Sequence, residues 1–578
     1  MTSVSQALMT NLLTAVIFFP LVGVFLLVFL PKENHRLLRN VTFAVTLGEF
    51  LLSLPVAILF DGSTAAMQFV QRVPWIPGYG IEYHVGVDGI SLWLLMLTTF
   101  LMPITILSTY TSVTKHVKEF MIFMLVLEVG MAGVFLAIDL FLFYIFWETV
   151  LIPMYFLIGV WGSDRRIYSA IKFFLYTFAG SVLMLVAIIA LYFHHYEVTG
   201  VYSTDLLAMY ALAIPVKLQF WMFAAFALAF AFKVPMFPFH TWLPDAHVDA
   251  PTAGSVILAA ILLKMGTYGF LRFAIPLFPV AAGDLKPLIA TLAVIGILYG
   301  ALVAMVQKDI KKLVAYSSVA HLGFVMLGLF AFNIQGIEGG ILQMVNHGIS
   351  TGALFLLVGI LYERRHTRLI SEYGGLSKVL PLYAACFMII TLSSIGLPGM
   401  NGFVGEFLIM VGAFQPMRAL TIVAASGVIF AAVYMLWMFQ RVMFGTITNE
   451  KNRRLPDMNA REVAYMLPLL VFVFWIGVYP QTFLRKMDAS VAALVARIET
   501  KRQAALVDSP PGETLVARYF DVTQRLDSQI RSHSSAAASA PASLRSLRRT
   551  AVGTPQSRAL PARRIDALDA DRIYEPRR

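Results

Sequence analysis

Apolar runs of roughly 18 to 25 residues recur from residue 12 to residue 479 of this 578-residue chain. At a rise of 1.5 Å per residue, each can cross a hydrocarbon core about 30 Å thick. With 59% hydrophobic and only 13% charged residues, the chain holds more apolar material than an aqueous fold can bury, so its solvent is a bilayer. Lipid offers no hydrogen bonds, so segments this long must satisfy their own backbone as helices. The expected fold is an all-α polytopic membrane protein with about 14 transmembrane helices. The first run, residues 12–30, follows a stretch without Lys or Arg and exceeds a signal-peptide apolar core, so it is expected to remain as a membrane helix.

The net charge of +11 is a matter of topology rather than of nucleic-acid binding. Roughly twenty Lys and Arg fall in one set of alternate loops, against five (Arg72, Lys217, Arg272, Lys286 and Arg418) in the other. The positive-inside rule makes the rich set cytoplasmic, so the protein is expected in a bacterial inner membrane with both termini on the periplasmic side. Cys386 is the single cysteine, which excludes an internal disulfide, a thiolate-held iron–sulfur cluster and a cysteine zinc site within the chain. Neither G-x-G-x-x-G nor G-x-x-x-x-G-K-[ST] follows a strand-like segment, so no nucleotide site or cofactor of the chain's own is expected.

Residues 61–88 contain Pro74, Pro77, Gly78 and Gly80 and read as an exported-side loop with a small hairpin. Residues 200–215 read as a shorter loop on that side. Beyond about residue 502 the composition turns rich in Arg, Ala, Ser and Pro and reads as disordered, with residues 515–530 capable of a short amphipathic helix.

Pro and Gly interrupt two spans, in KVPMFPFHTWLP just after Lys233 and in IGLPGMNGFVGEF just before Glu406. Broken helices at corresponding positions of two halves point to internal repeats with an ion site between them. The expected organisation is helices 1–3 with the exported loop in residues 1–111, a first five-helix repeat in 112–280, a second, inverted one in 281–447, helix 14 and its flank in 448–500, and the tail in 501–578.

Six ionisable side chains, Glu148, Lys233, Lys264, His321, His347 and Glu406, lie near the middle of apolar segments. A charge at the bilayer centre costs about 2.5–3.5 kcal/mol on the insertion scale, so each is a functional candidate. Helical rise puts Glu148 about 14 Å past Asp139, and His321 about 15 Å past Lys311. The six therefore form a central layer, which implies lateral ion conduction. A Glu–Lys pair can be switched by separating its partners, and Glu148 with Lys233 is the expected pair. Histidines relay protons near neutrality, so His321 and His347 are expected to link Lys264 to Glu406 with waters in the gaps. His240 and His247 are weaker candidates that cap helix ends or pair with Asp245 and Asp249. Glu128 is weaker still, and Asp139 reads as a helix cap.

Around these residues the segments FYIFWETVLIPMYFLIGVWG, FKVPMFPFHTWLPDAHVDAPT, SVILAAILLKMGTYGFLRF, QKDIKKLVAYSSVAHLGF and MVNHGISTGALFLLVG resemble the antiporter-like membrane subunits of respiratory complex I. The resemblance runs from the first span to about residue 479 and leaves the tail unexplained. It implies a fourteen-helix fold with inverted five-helix repeats and a proton-pumping role for the six residues. NADH, FMN, iron–sulfur clusters and quinone would then belong to partner subunits. Within the family, Glu rather than Lys at position 406 favours one branch and argues against the alternative of a multisubunit cation/proton antiporter. A third reading, a haem-binding cytochrome subunit using His321 and His347, lacks a second histidine pair at suitable spacing.

Overall fold

The computed structural model of the chain describes residues 3–507. Within them, thirteen helices are long and apolar enough to cross a membrane, from Asn11–Phe29 to Ala460–Val478. Two shorter apolar helices, Pro381–Ser394 and Asn401–Phe414, follow one another and supply a broken fourteenth crossing. The chain is a multi-pass membrane protein.

An 18-residue apolar stretch of each of helices Thr252–Leu277 and Ile334–Arg365 is wholly buried within the protein, and that of Ile310–Leu329 is nearly so, whereas those of His35–Leu59, Arg418–Met443 and Ala460–Val478 are buried over only a third. Apolar character cannot tell these classes apart, because lipid and protein interior are equally apolar. What separates them is small and polar residues at helix contacts. Gly412 shows how close the backbones run, since a Cβ there would lie 2.2 Å from the backbone nitrogen of Gly336.

Both expected breaks are present. Helix Val216–Lys233 stops at the Pro-rich turn and resumes as Trp242–Asp249; the indole of Trp242 donates to the carbonyl of Phe232 at 2.8 Å and ties the halves together. In the second break Gly396 (φ +75°) and Gly399 (φ +89°) adopt left-handed backbone that other residues resist. At the restart Asn346 Nδ2 donates to the Asn401 carbonyl at 2.6 Å and ties the second half to Ile334–Arg365.

Strands Gln68–Ile76 and Ile81–Val87 pair antiparallel as the expected hairpin. The segment read as a plain loop at 200–215 holds a short helix, Leu206–Ala211, capped by Asp205. Asp139 is a helix cap, its carboxylate accepting from the amides of Phe141 and Leu142 at 2.9 Å. On the hairpin side Arg272 pairs with Asp88 in a buried bridge. Helix Asp488–Val507 runs past the expected boundary at residue 500. It is no loose tail: Val491, Leu494 and Ile498 are buried against the bundle and Arg497 lies 4.3 Å over the ring of Tyr210. The expected amphipathic segment at 515–530 lies outside the described residues.

Candidate functional site

The most connected part of the interior starts at Lys264, fully buried on Thr252–Leu277. Two π-helical turns, Leu258–Leu262 and Phe270–Ala274, flank its segment, and such turns widen a helix locally. Lys264 Nζ donates to the Ala259 carbonyl at 2.6 Å and lies 2.5 Å from His347 Nδ1. His347 Nε2 is buried with no hydrogen-bond partner. The rings of His347 and His321 stand 5.7 Å apart. His321 Nδ1 in turn lies 2.7 Å from Glu406 Oε1, an oxygen that also accepts from Gln343 Nε2 at 2.9 Å. A cavity of about 10 Å³ is lined by both histidines, Gln343 and Asn346. That is room for one water with polar partners on several sides. It is far smaller than a porphyrin and lends the haem reading no support.

Four of the six candidates therefore form one row, Lys264–His347–His321–Glu406, and the structure joins them in that order. Glu148 and Lys233 are arranged differently from the expected contact pair. No ion pair within 4.0 Å joins them; the Lys233 ammonium lies 4.6 Å over the indole of Trp147. Glu148 has Ser181, Tyr144 and Lys233 as its polar neighbours, and one of its oxygens is buried without a partner. An aromatic face attracts a desolvated cation, and Trp147 precedes Glu148 by one residue, about 100° around the helix. The ring thus takes the position beside the ammonium, and the carboxyl turns toward Ser181.

The expected pairing of His240 and His247 with Asp245 and Asp249 does not occur. Lys172 takes Asp245 at 2.7 Å, while Ser163 and Ser169 donate to the two oxygens of Asp249. His240 packs among Phe237 and Tyr299. His247 stacks flat on Phe355 at 4.6 Å; both its nitrogens are buried and unpartnered, and its charged neighbours are Lys311 and Lys264.

Lys311 is the second residue of helix Ile310–Leu329. It is buried, donates to the Ala250 carbonyl at 2.6 Å and lines a polar cavity of about 460 Å³ together with Asp249, Glu363 and His366. Gln343, Asn346 and Trp147 were missed by sequence reasoning. The amides had a signal, being polar groups in an apolar span; Trp147 had none. Among the described residues there is no cluster of His, Cys, Asp or Glu suited to a metal ion.

Buried titratable groups strung across a bundle that contains two broken helices define an antiporter-like ion-translocating membrane protein. Residues 137–433 match the model of the NADH:quinone oxidoreductase/Mrp antiporter transmembrane family, and the chain belongs to that family. It is 48% identical to NADH-quinone oxidoreductase subunit M of Rhodobacter capsulatus over 504 residues, covering 84% of this chain and 97% of that one. It is likewise 48% identical to NADH-ubiquinone oxidoreductase chain 4 of Marchantia polymorpha over 484 residues, with the same coverage. Among solved structures it is similar to a chain of respiratory complex I from Thermus thermophilus, with a TM-score of 0.77 and 31% identity over 84% of this chain and 99% of that one.

Proposed function

We propose that this chain is a proton-translocating membrane subunit of an NADH–quinone oxidoreductase, coupled to NADH oxidation and quinone reduction in partner subunits and carrying no redox cofactor itself. The row from Lys264 to Glu406 is the observation that carries the reading. A lysine ammonium at 2.5 Å from His347 Nδ1 can hand that nitrogen a proton, leaving a neutral amine. The imidazolium then releases its Nε2 proton to a water in the 10 Å³ cavity, and His321 accepts it at Nε2. His321 passes its Nδ1 proton to Glu406 across 2.7 Å. Each histidine takes a proton on one nitrogen and loses one from the other, so charge moves through ring tautomers without large displacement.

Glu148 and Lys233 act as the switch. With the ammonium on Trp147 the two are separated, and a swing of the lysine toward Glu148 would pair them and bias the proton affinity of the row. His247, between Lys311 and Lys264, connects the row to the 460 Å³ cavity, which the positive-inside rule assigns to the cytoplasmic face. The termini and the hairpin then lie on the periplasmic side. Residues 112–280 and 281–447 form two inverted five-helix repeats, each with its own broken helix.

The test is purification and transport together. Affinity-tagged chain should copurify with flavin- and iron–sulfur-bearing subunits, and the reconstituted complex should acidify one side of a vesicle on adding NADH and quinone. Copurification with antiporter subunits alone, free of flavin, would assign the chain to a cation/proton antiporter instead.

A further inference from the structure

Helix His35–Leu59 is buried over only a third of its window, and its buried face is the polar one. Thr42, Thr46, Glu49 and Ser53 recur at spacings of four, three and four, the period of one helix face, and all are 0% exposed. At the centre of this stripe the Glu49 carboxyl faces that of Glu128, also 0% exposed, on Val117–Leu136. Helices His35–Leu59 and Val117–Leu136 pack directly on each other, and among the described residues no Lys, Arg or His acts on either carboxyl. None of their four oxygens receives a hydrogen bond from a donor group of the protein.

Two facing carboxylates in hydrocarbon would combine mutual repulsion with the full desolvation cost of both charges. No Lys, Arg or His offsets either. A proton between the facing oxygens removes the repulsion and one of the two buried charges and gives those two oxygens a shared hydrogen; a second proton neutralises the pair. The hydroxyls on the same helix face do not solvate the carboxyls. Thr42 and Thr46 donate their own hydrogens to the carbonyls of Leu38 and Phe43, and Ser53 shares a hydrogen bond of 2.8 Å with Thr99. These hydroxyls are engaged with the backbone and with one another and leave the two carboxyls to each other.

We propose that Glu49 and Glu128 form a second intramembrane proton-binding site, with at least one proton held between the two carboxyls, outside the row from Lys264 to Glu406. Helix Val117–Leu136 packs on the segment that carries Glu148: a Cβ on Gly130 would meet Val150, two residues beyond Glu148, at 2.7 Å. The pair thus sits one helix away from the switch and can store a proton beside it.

Infrared difference spectroscopy on the purified complex, in H₂O and in D₂O, reads this directly. A protonated-carboxyl band that moves in D₂O should be displaced in Glu49→Gln and in Glu128→Gln and lost in the double variant. Identical protonated-carboxyl regions in the wild-type and double-variant complexes would mean that both groups are ionised, or hold a metal cation, and would overturn the proposal. Each single variant keeps one carboxyl with a neutral amide partner and carries the test if the double variant fails to assemble. An unmoved band in both singles then counts equally against it.

Discussion

Lys264 Nζ and His347 Nδ1 lie 2.5 Å apart, both side chains buried, on the two helices whose apolar stretches are closed to lipid and water. At that range a proton belongs to both groups, and the position of one hydrogen decides whether the charge is on the lysine or the histidine. Ala259 accepts from the lysine nitrogen on the other side at 2.6 Å, which holds that nitrogen in place whichever of the two groups carries the charge.

Replacing His347 by Gln puts a polar amide in place of the imidazole, with no nitrogen that titrates. Pumping and pumping-coupled NADH oxidation should fall by about 10²-fold, the scale of losing one positioned proton carrier, while the complex assembles. Proton uptake by reconstituted vesicles checks this; wild-type rates in an assembled His347→Gln complex would exclude it from the path.

Glu148→Gln and Lys233→Ala should each abolish most pumping with assembly intact, and Glu148→Asp should be milder because it keeps the charge. Trp147→Leu is a separate case. It removes the ring under the Lys233 ammonium, an interaction of about 0.5–2 kcal/mol, and should favour the ion pair. A longer-lived pair slows the switch, seen as reduced turnover without loss of subunit content.

Gln343→Leu leaves Glu406 with His321 as its one side-chain hydrogen-bond partner among the described residues. Losing one hydrogen bond to a buried carboxyl costs about 1–3 kcal/mol. Glu406 should then hold its proton more tightly and pumping should slow, whereas Glu406→Ala should remove most of it and Glu406→Lys retain part. Equal pumping in wild type and Glu406→Ala would make Glu406 a packing residue.

Gly412→Val forces branched carbons into backbone, since even a Cβ lies 2.2 Å from Gly336 N. The contact between Ile334–Arg365 and Asn401–Phe414 must open, which carries Glu406 away from Gln343. The expected result is loss of assembled complex on native gels, of the size seen for overpacked interiors, about 1–3 kcal/mol or more.

Chain truncated after Val507 should assemble, because residues 508–578 offer little apolar material to bury. Deleting Asp488–Val507 should not be tolerated, since Val491, Leu494 and Ile498 are buried. Native-gel comparison of the two truncations separates the cases, and equal assembly would show the helix to be dispensable.

Two things were legible in the residue string alone. Span number and the two breaks follow from local rules: an apolar run must be helical in lipid, and Pro or Gly within it must interrupt the ladder. Lys264, His321, His347 and Glu406 also declared themselves singly, because the cost of placing a charge or imidazole in hydrocarbon is incurred residue by residue. Partnership is different in kind. Whether Lys233 meets Glu148 or Trp147, whether His247 meets Asp249 or Phe355, and whether Glu49 finds Glu128 depend on which helix faces which and at what rotation. Lateral packing in a bilayer is set by small-residue contacts such as Gly412 on Gly336 and by interhelical hydrogen bonds, neither of which has a sequence period. Lys311 shows the same limit at a helix end, where a one-turn difference in burial turns an exposed cation into a buried donor. The chain's sequence determined which charges enter the membrane; only the tertiary structure decided which of them touch.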